Sequence, residues 1–328
     1  MTNPCFCTLF NSFYWAKGML TLRSLLHVCP DAQIYVLAMD DITAELLRRE
    51  NSQQLHVVTM AEFESPEILN AKSNRNQAEY CWTCASAFIY YCMTTFKLSS
   101  CVYIDADLYF YTSPLILLQE LGKDNDVMIT EHRYTPQYDM SVTSGKYCVQ
   151  FMYFRKTPNG MHILKWWRDA CLEWCYNRFE DGKFGDQKYL DDWTTRFKGV
   201  HVLQHEGGGL APWNIQQYNI IRREGTLYVQ NKQTWVSSEV VFYHFHHLRN
   251  YYLRSMTEFR MGPYPIAPDV KELIYLPYIK ELIEQYRQYS IHGFDPLGSA
   301  QIETTRIQYL LHKIKAYIHP KDKIVWHV

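Results

Sequence analysis

Apolar runs and helical spacings take turns along the first sixty residues, and each change of period marks an element. Residues 5–10 form a short run that is nearly all apolar, and residues 16–28 then carry apolar side chains at three- and four-residue spacing. A second apolar run at 34–39 ends in Asp40 and Asp41. A charged stretch around 45–50 reads as a helix, and 55–59 reads as a third strand. Strand, helix, strand, helix, strand is the order of a parallel sheet with right-handed crossovers, so an α/β fold is predicted.

Further along, 75–95 has the length and spacing of a long helix, and VYIDADLYF at 102–110 is a buried strand ending in two carboxylates. Strands are predicted at 126–130 and 148–154, a Trp-rich amphipathic helix at 160–179, and a polar turn leading into a short helix at 182–193. HEGGGLAPWN at 205–214 fits no regular element, because its glycines and proline interrupt both periods. A last apolar strand at 236–245 ends among His244, His246 and His247. From Asn250 the chain becomes Tyr-rich and mixed in charge, with helical patterns at 270–289 and 304–317. The expected organisation is a sheet-bearing catalytic domain over 1–249 and a C-terminal helical annex over 250–328.

Composition narrows the partners. The chain has 328 residues, enough for one large core with an annex, and 47% of them are hydrophobic. Its net charge of -1 gives no field that recruits nucleic acid. Aromatic residues reach 16%, which suits stacking on sugars or bases as well as a Tyr-rich core. The 10 cysteines follow no regular framework. Cys81, Cys84, Cys171 and Cys175 have the number for zinc, yet they sit in apolar helical stretches where Cys packs as a small hydrophobe. No secretory leader is seen, and the longest apolar stretches are about half a membrane span, so a cytoplasmic location is expected.

The chemistry concentrates at strand ends. In a strand, Asp105 and Asp107 point to the same side and can converge on one Mg²⁺ or Mn²⁺ with positions left for a diphosphate. Asp40, Asp41, Asp105 and Asp107 all fall at carboxyl ends of strands, where α/β sheets take ligands. His244, closing VVFYHF, is the best third ligand, since a neutral imidazole beside two carboxylates suits Mn²⁺. A histidine in an aromatic run is also an ordinary core residue, and His246 and His247 compete for the same role. The backbone N–H groups of Gly207, Gly208 and Gly209 suit a phosphate or a sugar hydroxyl, with a surface loop as the plain alternative. Asp186 and Gln187 follow Gly185 at a helix start, where the carboxylate caps the helix or the pair holds a sugar.

In order, FCTLFNS, EYCWT, YIDADLYF, KFGDQKYLDDW, HEGGGLAPWN and FYHFHHLR resemble the GT-A nucleotide-sugar glycosyltransferases, close to glycogenin-like family 8 and its bacterial lipopolysaccharide relatives. The resemblance spans residues 6–249. It implies the GT-A fold, a Rossmann-like mixed sheet flanked by helices, with a helical annex. It also implies that Asp105, Asp107 and His244 hold Mn²⁺ or Mg²⁺, and that Asn11, Asp40 and Arg249 meet a nucleotide-diphosphate sugar. Gln187 would lie near the anomeric face of the donor sugar and Asp186 would hold its hydroxyls. Family 8 enzymes transfer with retention, to a saccharide or glycolipid acceptor. Several positions depart from the family pattern: Cys148 and Gln150 stand on the strand that lines the donor sugar, His247 replaces a common glycine, and Ser86 lies near where a basic residue is usual.

Two other readings compete. A phosphohydrolase with Asp105 as nucleophile needs a Gly-bearing turn after the second aspartate, whereas Leu108-Tyr109-Phe110 follows here. A non-catalytic sugar-nucleotide-binding relative of the fold is motivated by Cys148, Gln150 and His247. The annex, rich in Tyr and basic residues, offers a contact for an anionic membrane surface, with a solvated helical face as the simpler role.

Overall fold

The computed structural model describes residues 3–253, 256–291 and 323–327. Eight strands arise before the glycine loop: β1 (Cys5–Phe10), β2 (Gln33–Ala38), β3 (Leu55–Thr59), β4 (Ser100–Ile104), β5 (Leu108–Phe110), β6 (Val127–Glu131), β7 (Tyr147–Arg155) and β8 (Val200–Val202). All but β5 form one sheet in the order β3-β2-β1-β4-β7-β6-β8. β3, β2 and β1 run parallel, as the sequence predicts, and β4 joins β1 in the same direction. β7 is antiparallel to both β4 and β6, which makes the sheet mixed.

Period-two alternation splits the core into two layers. Phe6, Phe10, Val102 and Ile104 face α1 (Trp15–Val28) and α2 (Asp41–Arg49). Cys7, Leu9, Cys101 and Tyr103 face the helices Gln77–Thr95 and Pro158–Glu173. Local signals start these helices. Asn76 and Glu79 close a capping box at Gln77–Thr95. Thr157 caps the other helix, and Pro158 fits its first turn. Cys84, Cys171 and Cys175 are buried, unpaired thiols in this layer, packing as hydrophobes.

The final apolar run is two strands rather than one. With β9 (Tyr218–Arg223) and β10 (Thr226–Asn231), an unpredicted hairpin, β11 (Ser237–Glu239) makes a separate sheet. β12 (Phe242–His244) instead pairs antiparallel with β5. The chain changes partners at Val240 and Val241, both fully buried, whose N–H groups donate to Leu227 and Gly207 carbonyls. An apolar run records burial and not partner, so the switch leaves no mark on the pattern.

The C-terminal part is helical over Pro268–Val270, Lys271–Tyr275 and Leu276–Ile291, matching the pattern at 270–289. It also carries a three-stranded sheet, β13 (Arg249–Leu253), β14 (Met256–Arg260) and β15 (Lys323–His327), which the helical expectation did not include. Residues 304–317 lie outside the described residues. The helix Leu276–Ile291 packs on α1, where Arg23 donates to Gln285 at 2.9 Å and Tyr289 meets Trp15 edge-on. Among the described residues no helix is long and apolar enough to cross a membrane.

Candidate active site

β4 ends at Ile104, and Asp105-Ala106-Asp107 forms the turn into β5. The two carboxylates therefore meet across a turn, and not along one face of a strand as the i, i+2 argument expects. β12 brings the third group. Its register sets His244 opposite Leu108, and Phe245 N–H donates to the Asp107 carbonyl at 2.9 Å. His244 Nε2 lies 2.9 Å from Asp107 Oδ1 and 3.8 Å from Asp105 Oδ2. One ligand atom from each of the three residues lies within 4.8 Å of the others, the sole such group of three or more among the described residues. Two carboxylate oxygens and one imidazole nitrogen fit Mn²⁺, and Mg²⁺ less well because of the nitrogen. Asp105 keeps 29% of its side-chain exposure against 10% for Asp107, so the cluster opens to solvent on the Asp105 side.

The charges are unevenly held. Burial raises Asp105 to about 6, with His244 opposing that rise and Asp107 adding to it. Burial also acts to raise Asp107, but the charge and hydrogen bond of His244 prevail and hold it well below the usual carboxylate range. His244 moves up: burial disfavours its charged form, and Asp107 more than offsets this. His246, beside the same Trp213 ring, is driven well below the ordinary histidine value by burial and by His244. Geometry separates the histidines the sequence left in competition: of His244, His246 and His247, His244 is the one grouped with Asp105 and Asp107 among the described residues.

Asp186 is buried near this group. Burial first, and Asp105 second, push it up to about 8, while the Trp167 indole anchors its backbone carbonyl at 2.9 Å. The Gln187 amide nitrogen donates to the Ser144 carbonyl at 2.6 Å. Asp40 caps α2 through Thr43 N–H at 2.8 Å and accepts Ser12 N–H and Oγ–H, also at 2.8 Å. Asn11 accepts from Tyr14 N–H. Both residues thus shape the loop after β1. Arg249 is exposed, and its charge acts on Lys17 and His247.

The glycine loop has a packing explanation. A Cβ at Gly207 would sit 1.7 Å from the Glu239 carbonyl oxygen, and one at Gly208 2.8 Å from Leu203. Their N–H groups donate to His205 Nδ1 and His205 O, so neither is spare for a phosphate. Gly209, at φ +94°, lets the chain pass against Thr130 and Gln150.

One residue escapes the motif reading. Lys17 is the single charged side chain in the otherwise buried stretch Trp15–Leu22 of α1. Its ammonium donates to the Leu248 carbonyl at 2.8 Å and feels Asp107 and Arg249. A lone lysine interrupting a buried helical run was the available signal. An open cleft of about 640 Å³ lies nearby, lined by Glu131, Arg133, Tyr134, Asp139, Lys146 and Asp191 among others. Stacked His132 and Tyr134 and the Trp213 ring connect it to His244.

The mixed sheet with its flanking helices and C-terminal helix is the GT-A fold. The structure of the galactosyltransferase LgtC in complex with donor and acceptor sugar analogues matches it with a TM-score of 0.51, over 85% of this chain and 95% of that one. At 12% identity the match establishes fold alone. In sequence, the chain is 31% identical over 284 residues to the uncharacterized protein YfnD of Bacillus subtilis (strain 168), covering 84% of this chain and 88% of YfnD. It belongs to the YfnD family. YfnF of the same organism, also uncharacterized, is 29% identical over 288 residues, 85% of this chain and 90% of that protein. No family model matches the chain.

Proposed function

We propose that this protein is a metal-dependent glycosyltransferase of the family 8 type, moving a hexose from a uridine-diphosphate sugar to a saccharide or glycolipid with retention. The observation that carries the proposal is the convergence of Asp105, Asp107 and His244 at the carboxyl end of β4, the middle strand of a GT-A sheet. That LgtC was solved with donor and acceptor sugar analogues supports the same reading. A bound Mn²⁺ or Mg²⁺ offsets the charge that builds on the diphosphate as the glycosidic bond breaks. Asp105, Asp107 and His244 hold the ion, and Lys17 and Arg249 bring fixed positive charge to the diphosphate. Asp186 holds sugar hydroxyls, and Gln187 faces the anomeric carbon. The cleft at Tyr134 and Asp191 receives the acceptor, since mixed polar and aromatic walls suit a saccharide. We assign residues 1–249 to catalysis and 250–328 to an annex that contacts the acceptor or a membrane surface.

A thermal-shift panel of nucleotide sugars with and without Mn²⁺ tests this. One donor should stabilise the protein only when metal is present, by about 2.7 kcal/mol at a hundredfold excess over its Kd. A panel in which neither donor nor metal has any effect would sink the proposal. Within it, Lys17→Met should weaken UDP binding in Mn²⁺ about tenfold, the low end for a hydrogen bond to a charged group. Calorimetric titration reads this directly, and an unchanged Kd removes Lys17 from the diphosphate site.

A further inference from the structure

We infer that Gln150 is the positioning residue of the metal centre, holding His244 so that Nε2 presents its lone pair to the ion. The inference rests on the metal-dependent reading above. Gln150 is fully buried on β7 and touches both halves of the ligand set. Its backbone carbonyl accepts Asp105 N–H at 3.0 Å, and its side-chain Oε1 lies 2.8 Å from His244 Nδ1. An imidazole that gives Nε2 to a metal keeps its hydrogen on Nδ1, and that hydrogen needs an acceptor to fix the ring. Oε1 of Gln150 is that acceptor.

The rest of the amide argues against a packing role. Among the described residues, Gln150 Nε2 is buried with no hydrogen-bond partner. A Cβ added at Gly209 would come within 3.2 Å of it. Leaving such a group unsatisfied is unfavourable, and an apolar side chain of similar size avoids the cost. The unsatisfied half of the amide makes glutamine a costly packing choice in the middle of an apolar strand. Among the described residues, the one hydrogen bond its side chain makes is the one a metal-ligating histidine requires.

The test is Mn²⁺ binding by the full chain, followed through the electron paramagnetic resonance signal of free Mn²⁺. Gln150→Leu removes the unsatisfied Nε2 but also the partner of the buried His244 Nδ1, so it should fold with at most a modest loss of thermal stability and weaken Mn²⁺ binding about 10- to 100-fold, the range for an outer-shell partner. Gln150→Glu restores an acceptor and should bind within about threefold of wild type. In pulsed measurements, the nitrogen coupling of His244 to Mn²⁺ should be present in wild type and Gln150→Glu and reduced in Gln150→Leu. Wild-type affinity and coupling in Gln150→Leu would overturn this inference alone. Loss of binding in a folded Gln150→Glu would overturn it as well, even where the leucine variant fails to fold. A wild-type chain that takes up no Mn²⁺ would overturn the metal reading and this inference together.

Discussion

Asp107→Asn should abolish Mn²⁺-dependent turnover of the donor while leaving the fold intact. The substitution keeps the shape of the side chain and an oxygen for His244, at 2.9 Å in the native site, so packing scarcely changes. It removes the carboxylate that His244 keeps ionised against the effect of burial. Losing that charge would weaken the hold of Asp105, Asp107 and His244 on a divalent cation, and with it the stabilisation that cation would give the departing diphosphate. A single well-placed electrostatic contact of this kind contributes about 3–4 kcal/mol, or roughly 100- to 1000-fold in rate. Donor hydrolysis with and without Mn²⁺, beside a melting curve, separates the two effects. Activity that survives the change and needs no metal would refute the metal role.

The second large effect separates two neighbouring histidines. His244→Ala should weaken Mn²⁺ binding by at least the 10–100-fold seen when an outer-shell partner is lost, because it deletes a ligand outright. It also leaves Gln150 Oε1 and Asp107 Oδ1 without their shared partner. His246→Ala should change Mn²⁺ affinity by no more than about threefold. Its ring lies against Trp213, and it makes no ion pair with either carboxylate. Titration of both variants with Mn²⁺ decides the matter, and equal losses would undo the choice of third ligand.

What the sequence made legible follows from what each signal encodes. The parallel half of the sheet was readable because strand and helix periods alternate cleanly through residue 59. The antiparallel course of β7 was not, since Tyr147–Arg155 is an apolar run on either strand direction. Asp105 and Asp107 stood out as charges beside a buried strand, although the turn that joins them was mistaken for strand pleat. Gln150 shows the opposite failure. Against a family pattern it counts as a departure that weakens the case for activity, whereas in space its Oε1 lies 2.8 Å from Nδ1 of His244. Lys17 carries little signal in the sequence, because a charge within a helix is ordinary until its neighbours prove to be buried. Gly207 and Gly208 matched a phosphate loop in composition, but close approach to Glu239 and Leu203 explains them.

The pairing of β5 with β12 has a consequence for how this chain tolerates change. Phe110 faces Phe242, Tyr109 faces Tyr243 and Leu108 faces His244, so the ligand set is aligned by counting along two short strands. A slip of one residue would turn the imidazole away and set Tyr243 or Phe245 in its place. The length of chain between Phe110 and Phe242 does not enter that count. Insertions and deletions in exposed intervening loops can therefore accumulate, reshaping the cleft at Tyr134 and Asp191, while a single added residue inside either strand disrupts the alignment of His244 with Asp107.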